Sequence, residues 1–294
     1  MGRIIDVLME TDSTGEKMMA GSSSAIELSP AFGGRRPITH VVFDFDGTVS
    51  WLRHGWPEMM AQIFRQHFAL KPGETEQLLH DLLLDEILSL NGKPSIHQMD
   101  RCAEFVRQRG GVPPDPQHLL AQYHKQLETA VRERTAAILS GRWATDDFLV
   151  FGARKLLETL HQRGLALVIL SGSDEQQVKE EARLLDLTRY FGNHIYGSTG
   201  AKFSKRAVLD RLLAEERIHG HNLLSFGDGP VEIQHTKELG GLAIAVASDE
   251  DVNGSGRVDP QKRKLLLSAG ADLVVADYRD SIAVMESVLE KPHE

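Results

Sequence analysis

Cysteine is almost absent: the chain of 294 residues has one, Cys102. One thiol cannot close an internal disulfide, so nothing in the sequence asks for an oxidising compartment. A basic excess is also lacking. Lys plus Arg is 33 against 42 for Asp plus Glu, a net charge of −9, which disfavours a nucleic-acid partner. Long apolar runs are missing, and the best of them, residues 165–170 and 242–247, fall far short of the ~20 residues of a membrane span. The first ten residues carry Arg3, Asp6 and Glu10 and no apolar core, so no secretory signal is visible. Apolar residues at 41% and charged residues at 26% exclude a wholly disordered chain, a collagen and a coiled coil. The expectation is a cytoplasmic globular protein without a membrane partner. Its acidic excess suits an enzyme that holds a metal.

What is present divides along the chain. Residues 1–39 include Gly21, Ser22, Ser23, Ser24 and the stretch Gly33, Gly34, Arg35, Arg36, Pro37. That is loop composition, and it predicts an N-terminal extension with little order, with a short strand at 25–28 as its one candidate element. From His40 the run Val41, Val42, Phe43 leads into Asp44, Phe45, Asp46, Gly47, Thr48, which reads as a buried parallel strand and its end. Residues 56–141 then carry apolar side chains at three- and four-residue spacing, which predicts helices at 57–70, 74–90, 95–109 and 116–139. After them strands and helices alternate to the end of the chain. The predicted fold is therefore α/β: a doubly wound parallel sheet over 40–55 and 142–294, interrupted after its first strand by a helical block at 56–141.

In open α/β sheets the site lies at the carboxyl ends of the strands. Asp44 and Asp46 lie two residues apart near the first strand end and share one side. Two carboxylates in one small site repel each other, and a divalent cation with hard oxygen ligands, Mg²⁺ above all, removes that cost. Read as local structure alone, they are turn formers. The strand at 165–170 ends in Ser171, Gly172, Ser173, where a hydroxyl and the free N–H groups before a helix suit an anion. Ser173 with Gln176 also reads as a capping box. Lys202 and Lys205 flank the start of the helix at 205–217. The strand at 223–226 ends in Gly227, Asp228, Gly229, Pro230, with Glu232 in the following first turn, which also reads as a turn with favourable helix-dipole placement.

Taken in order, the Asp44 to Thr48 run, Ser171, a lysine before a helix and the Gly227 to Glu232 run resemble the four motifs of the haloacid dehalogenase-like hydrolase superfamily. The branches it resembles are the phosphoglycolate-phosphatase-like and phosphoserine-phosphatase-like ones. The likeness covers roughly residues 38–289, and the helical block resembles a C1-type cap on a Rossmann-like core. It implies Asp44 as the nucleophile that forms an aspartyl-phosphate and Asp46 as general acid and base. It implies Mg²⁺ held by the Asp44 side chain, the Asp46 carbonyl and Asp228, with Glu232, where many members have aspartate, as a further carboxylate. Ser171, Gly172 and Thr48 would meet the phosphoryl group. Lys205 fits one branch and Lys202 the other, and Lys205 is preferred.

The implied activity is phosphomonoester hydrolysis of a small phosphorylated metabolite. A phosphomutase, a haloacid dehalogenase and a non-catalytic Mg²⁺- or phosphate-binding module are the alternatives. Arg53 at the entrance and Lys93 in the polar loop at 91–98 are candidates for a second anionic group of the substrate, or else ordinary surface charges. Asp249, Glu250, Asp251 and Asn253 imitate half of a calcium loop, but Pro260 stands where its last ligand belongs. Asp259 with Pro260 reads instead as a helix start. Cys102 is expected to be a packed side chain.

Overall fold

Residues 41–43 are apolar on both faces of the strand they form, as a strand covered by helices on either side must be. The structure is a computed structural model and describes residues 9–11, 17–19 and 26–290, Gly92 and Ala201 excepted. It begins with β1 (Met9–Thr11), β2 (Lys17–Met19), β3 (Ile26–Leu28) and β4 (His40–Phe43). The helical block follows as α1 (Trp56–Arg65), α2 (Glu76–Leu88), α3 (Ile96–Gln108) and α4 (Pro116–Leu139). Then come α5 (Ala153–Gln162), β5 (Ala166–Asp174), α6 (Glu175–Leu184), α7 (Thr188–Phe191), β6 (Ile195–Ser198) and α8 (Lys205–Glu215). The chain closes with β7 (Leu223–Gly227), α9 (Pro230–Glu238), β8 (Leu242–Val246), α10 (Pro260–Ser268), β9 (Leu273–Val275) and α11 (Ser281–Val288).

The sheet order is β1-β2-β3-β9-β8-β7-β4-β5-β6. The six strands β4 to β9 are parallel to one another, and β1 to β3 add antiparallel pairs at the β9 edge. β4 lies between β5 and β7, so chain order runs outward on both sides of it. That is a topological switch point, where a crevice opens at the carboxyl ends of the strands. Phe43 is level with Ile169 on one side and Phe226 on the other. The residues that follow each of them therefore emerge together.

The helical block has an apolar core of its own, built from Met60, Phe64, Leu79, Leu83, Met99 and Leu119 among others. The sheet and its covering helices pack around a separate cluster that contains Phe43, Leu156, Ile169, Phe226 and Ile244. The starts of α4 and α10 follow local rules: Asp115 and Asp259 cap them, and Pro116 and Pro260 take the first turn. Cys102 is buried on α3, and burial pushes its thiol up to about 12. Among the described residues no helix is long and apolar enough to cross a membrane.

Two expectations are corrected. Part of the N-terminal extension is built into the sheet: β3 pairs with β9, Ile26 is buried, and Glu27 pairs with Arg263 of α10. Without β3, β9 would present an open edge to solvent. Residues 1–8, 12–16 and 20–25 of that extension lie outside the described residues. The strand expected to end at Leu170 continues to Asp174, with a register shift against β6 between Leu170 and Asp174. That irregular stretch carries Ser171, Gly172 and Ser173.

Candidate active site

Asp44 leaves the end of β4 with its N–H donating to the Phe226 carbonyl of β7. The chain then turns at Gly47, whose φ of +72° is a backbone region that L side chains rarely adopt. A Cβ there would lie 2.3 Å from Oδ2 of Asp228, so glycine lets the turn after β4 and the turn after β7 close on each other. Asp228 follows β7 directly. Glu232 lies in the first turn of α9, and its Oε1 accepts the N–H of Gly229 at 2.8 Å. Asp44, Asp228 and Glu232 are all buried, and one carboxylate oxygen from each lies within 4.8 Å of the others.

Lys205, at the first position of α8, reaches this cluster. Its Nζ donates to Asp44 Oδ1 at 2.8 Å and to Glu232 Oε2 at 3.2 Å, with the side chain buried. Lys202 is exposed. Burial raises the pKa of Asp44, and Lys205 offsets part of the rise. Glu232 is pushed up to about 7 by burial, again opposed by Lys205. Asp228 is raised well above its usual range by burial, with Lys262 in opposition. Burial disfavours the ammonium of Lys205, but Asp44 and Glu232 outweigh that and hold its pKa above the ordinary value.

The donor set fits a hard divalent cation. Oδ1 of Asp228 is buried without a hydrogen-bond partner, which is costly for a carboxylate oxygen unless a cation meets it. With Glu250 counted beside Asp44, Asp228 and Glu232, four carboxylates against the ammoniums of Lys205 and Lys262 leave an excess of about two negative charges, matched by a 2+ ion.

In front of the cluster opens a cavity of about 1200 Å³ between the sheet and the helical block. Asp44, Asp46, Ser171, Gly172, Arg53 and Lys93 all line it. Its far wall, from α4, is mixed, with Leu120, Tyr123 and Leu127 beside His124, Glu128 and Arg132. The loop before α3 contributes Asn91 and Ser95, and the first turn of α3 contributes Gln98. This loop also reaches the Asp228 turn: a Cβ on Gly229 would lie 3.0 Å from the Asn91 carbonyl oxygen. Thr48 is fully buried and is not among the lining residues, and its carbonyl accepts the Tyr278 hydroxyl at 2.8 Å.

A family model described as haloacid dehalogenase-like hydrolase matches residues 38–240, more than half of the chain. The chain belongs to the haloacid dehalogenase-like hydrolase family. It is 29% identical over 178 residues to a phosphoserine phosphatase of Lactococcus lactis, covering 54% of this chain and 78% of that one. A predicted phosphoglycolate phosphatase of Haemophilus somnus has a similar solved structure, with a TM-score of 0.54 at 12% identity, covering 84% of this chain and 98% of that one. A β-phosphoglucomutase of Clostridium difficile has a TM-score of 0.53 at 14% identity, covering 83% and 92%. At such identities the two structures share the fold with this haloacid dehalogenase-like chain.

Several residues around the site make contacts that the sequence does not signal. Ser173 does not cap α6; Asp174 does, accepting the Gln177 N–H, and Ser173 Oγ instead donates to Asp46 Oδ2 at 2.7 Å. Arg53 does not stand free at the entrance but pairs with buried Glu181 on α6. Lys262 of α10 is buried beside Asp228 and pairs with Glu250. Asp249, in the imitation calcium loop, is engaged by Arg257. Asp46, Glu181 and Asp228 are distant in sequence from Ser173, Arg53 and Lys262, and Glu181 and Lys262 are hidden among like residues.

Proposed function

We propose that this protein is a Mg²⁺-dependent phosphomonoester hydrolase that acts on a small phosphorylated metabolite through an aspartyl-phosphate. One observation carries the reading: Asp44, Asp228 and Glu232 bring carboxylate oxygens within 4.8 Å of one another behind the floor of a large cavity, with Lys205 on Asp44. A buried acidic cluster with a nucleophilic carboxylate at its open side suits phosphoryl transfer. In this reading residues 56–141 form a cap over a core made of 40–55 and 142–294.

The roles follow from position. Asp44 lines the cavity and attacks phosphorus. Asp46, two residues on, also lines the cavity and carries the proton to the leaving oxygen, then takes one from the attacking water. Ser171 and the Gly172 N–H, on the irregular end of β5, orient the phosphoryl oxygens, with Thr48 supporting the loop behind them. Lys205 keeps Asp44 ionised and offsets charge on the transferring group. Asp44, Asp228, Glu232 and the Asp46 carbonyl would hold Mg²⁺, which supplies Lewis-acid stabilisation of the phosphoryl charge. Lys93 and the loop at 91–98 would select the substrate.

A panel of phosphate esters assayed for phosphate release with Mg²⁺ and with a chelator tests this reading. Release that needs Mg²⁺ is expected. Full activity in excess chelator removes the metal role. Transfer of the phosphoryl group back to a sugar phosphate, without phosphate release, makes the protein a mutase.

A further inference from the structure

Asp46 does not stand alone in the cavity. Ser173 Oγ donates to its Oδ2 at 2.7 Å, and Nε of Arg53 lies 3.4 Å from its Oδ1, an ion-pair contact. Ser173 Oγ also accepts from Arg53 Nη1 at 3.2 Å. Oδ2 of Asp46 is thus tied to the guanidinium through a hydroxyl, while Oδ1 meets it as a charge contact alone, since the one N–H of Nε goes to Glu181 and Oδ1 has no hydrogen-bond partner. That guanidinium is itself held from behind. Glu181 accepts from Nε at 3.1 Å and from Nη2 at 2.5 Å, and Gln177 Oε1 accepts from Nη2 at 3.3 Å.

The backbone around Arg53 is fixed as well. The carbonyls of Leu52 and His54, on either side of it, accept from Nη1 of Arg134 on α4 at 2.6 and 3.1 Å. Arg53 and Glu181 are both buried. A planar guanidinium held by a carboxylate on one side presents its remaining N–H groups at fixed angles. A lysine in its place would not.

We propose that Arg53 is a positioning residue for Asp46: Glu181 fixes the guanidinium, and Arg53 with Ser173 fixes the carboxyl plane of Asp46. The proposal rests on the reading of Asp46 as acid and base given above. In the first step a bond forms from an Asp44 oxygen to phosphorus while the bond from phosphorus to the leaving oxygen breaks. The Asp46 proton passes to that oxygen. In the second, water oxygen bonds to phosphorus, its proton passes to Asp46, and Asp44 leaves as a carboxylate. A carboxyl that is turned out of line impairs both transfers.

The test is a leaving-group series. kcat/KM is measured with Mg²⁺ on aryl phosphates running from dinitrophenyl phosphate, which leaves without protonation, to phenyl phosphate, which needs it. The double variant Arg53→Met/Glu181→Met removes both buried charges together, and thermal unfolding checks its fold. Its kcat/KM should fall about ten- to a hundredfold on phenyl phosphate and only about threefold or less on dinitrophenyl phosphate. Ser173→Ala should show the same slope at smaller size, and it decides alone if the double variant does not fold. Arg53→Lys should not restore the wild-type slope. An equal loss on every ester, or none on any, overturns the positioning role. A wild-type protein that releases phosphate from no ester overturns instead the functional reading on which this role rests.

Discussion

Nζ of Lys262 lies 3.3 Å from Oδ2 of Asp228, and both side chains are buried. The same ammonium pairs with Glu250, whose Oε2 accepts the N–H of Gly55 at the start of α1. Burial disfavours the ammonium, but Glu250 and Asp228 together raise its pKa above the ordinary value. Lys262 therefore occupies one oxygen of Asp228 and leaves the other, Oδ1, buried without a hydrogen-bond partner.

Replacing Lys262 by Met should destabilise the fold strongly. The methionine fills similar space but leaves the carboxylates of Asp228 and Glu250 without their cation. Breaking a buried pair by removing one partner costs about 3–5 kcal/mol. Urea unfolding at neutral pH should show a loss of that size. Lys264→Met, on the same helix, should stay within about 0.5 kcal/mol, as surface changes usually do. Equal midpoints for the two variants would remove the structural role of Lys262.

The response to Mg²⁺ should depend on pH in a definite direction. Burial pushes Glu232 from its ordinary 4.5 up to about 7. Between those values the folded metal-free protein binds more protons than the unfolded chain, so its stability falls as pH rises through the window. A cation must displace that proton to bind. Stabilisation by Mg²⁺ should therefore be weak near pH 5 and grow by up to about tenfold in affinity per pH unit until about pH 7. Thermal melts with and without Mg²⁺ across that range check it. A Mg²⁺ shift that is flat with pH would show that Glu232 does not take part.

How much of this was legible in the sequence follows from where each partner lies. Asp44, Asp46 and Asp228 stand where apolar runs stop, so their place at strand ends is a local reading. The bounds of α4 agree to the residue, because Asp115 and Pro116 mark its start within two positions. Lys262 was not legible: it sits beside Arg263 and Lys264, and it meets Asp228 across 34 residues. Nothing local says which of three adjacent cations is buried. Glu181 is hidden in the same way beside Glu180. The sequence offers β3 as a candidate strand, but its docking depends on the open edge of β9, at the other end of the chain. Ser173 reads locally as the cap, but Asp174 beside it takes that place. The register shift of β5 against β6, in the stretch that carries Ser173, is a tertiary feature.

Lys205 and Lys202 are separated by geometry, and activity should follow. Lys205→Ala leaves the buried carboxylates of Asp44 and Glu232 without their ammonium. Turnover should drop about 10²- to 10³-fold, the size seen when a preorganised charge-stabilising donor is lost. Lys202→Ala alters an exposed residue and should remain within about twofold. The comparison is made at saturating Mg²⁺, with thermal unfolding as a control for folding. A larger loss at Lys202 would shift the lysine motif by three residues.

Asp44 and Asp46 line one cavity, yet the proposed mechanism separates them. Asp44→Asn removes the attacking carboxylate, so no aspartyl-phosphate forms. Asp46→Asn keeps that nucleophile but removes the group that protonates the leaving oxygen and activates water. A substrate with a good leaving group needs little protonation, so Asp46→Asn should still take up the phosphoryl group. It should then stall, because loss of general acid–base help slows hydrolysis by about 10²- to 10⁴-fold. Mass spectrometry of acid-quenched protein should find one added phosphoryl group in Asp46→Asn, placed on Asp44 by peptide mapping, and none in Asp44→Asn. The side-chain amides differ little in size from the carboxyls, so neither change should disturb packing. A phosphoryl group on another residue, or rapid turnover by Asp44→Asn, would falsify the nucleophile. Without that nucleophile, the acidic cluster around Lys205 would have to serve some other reaction.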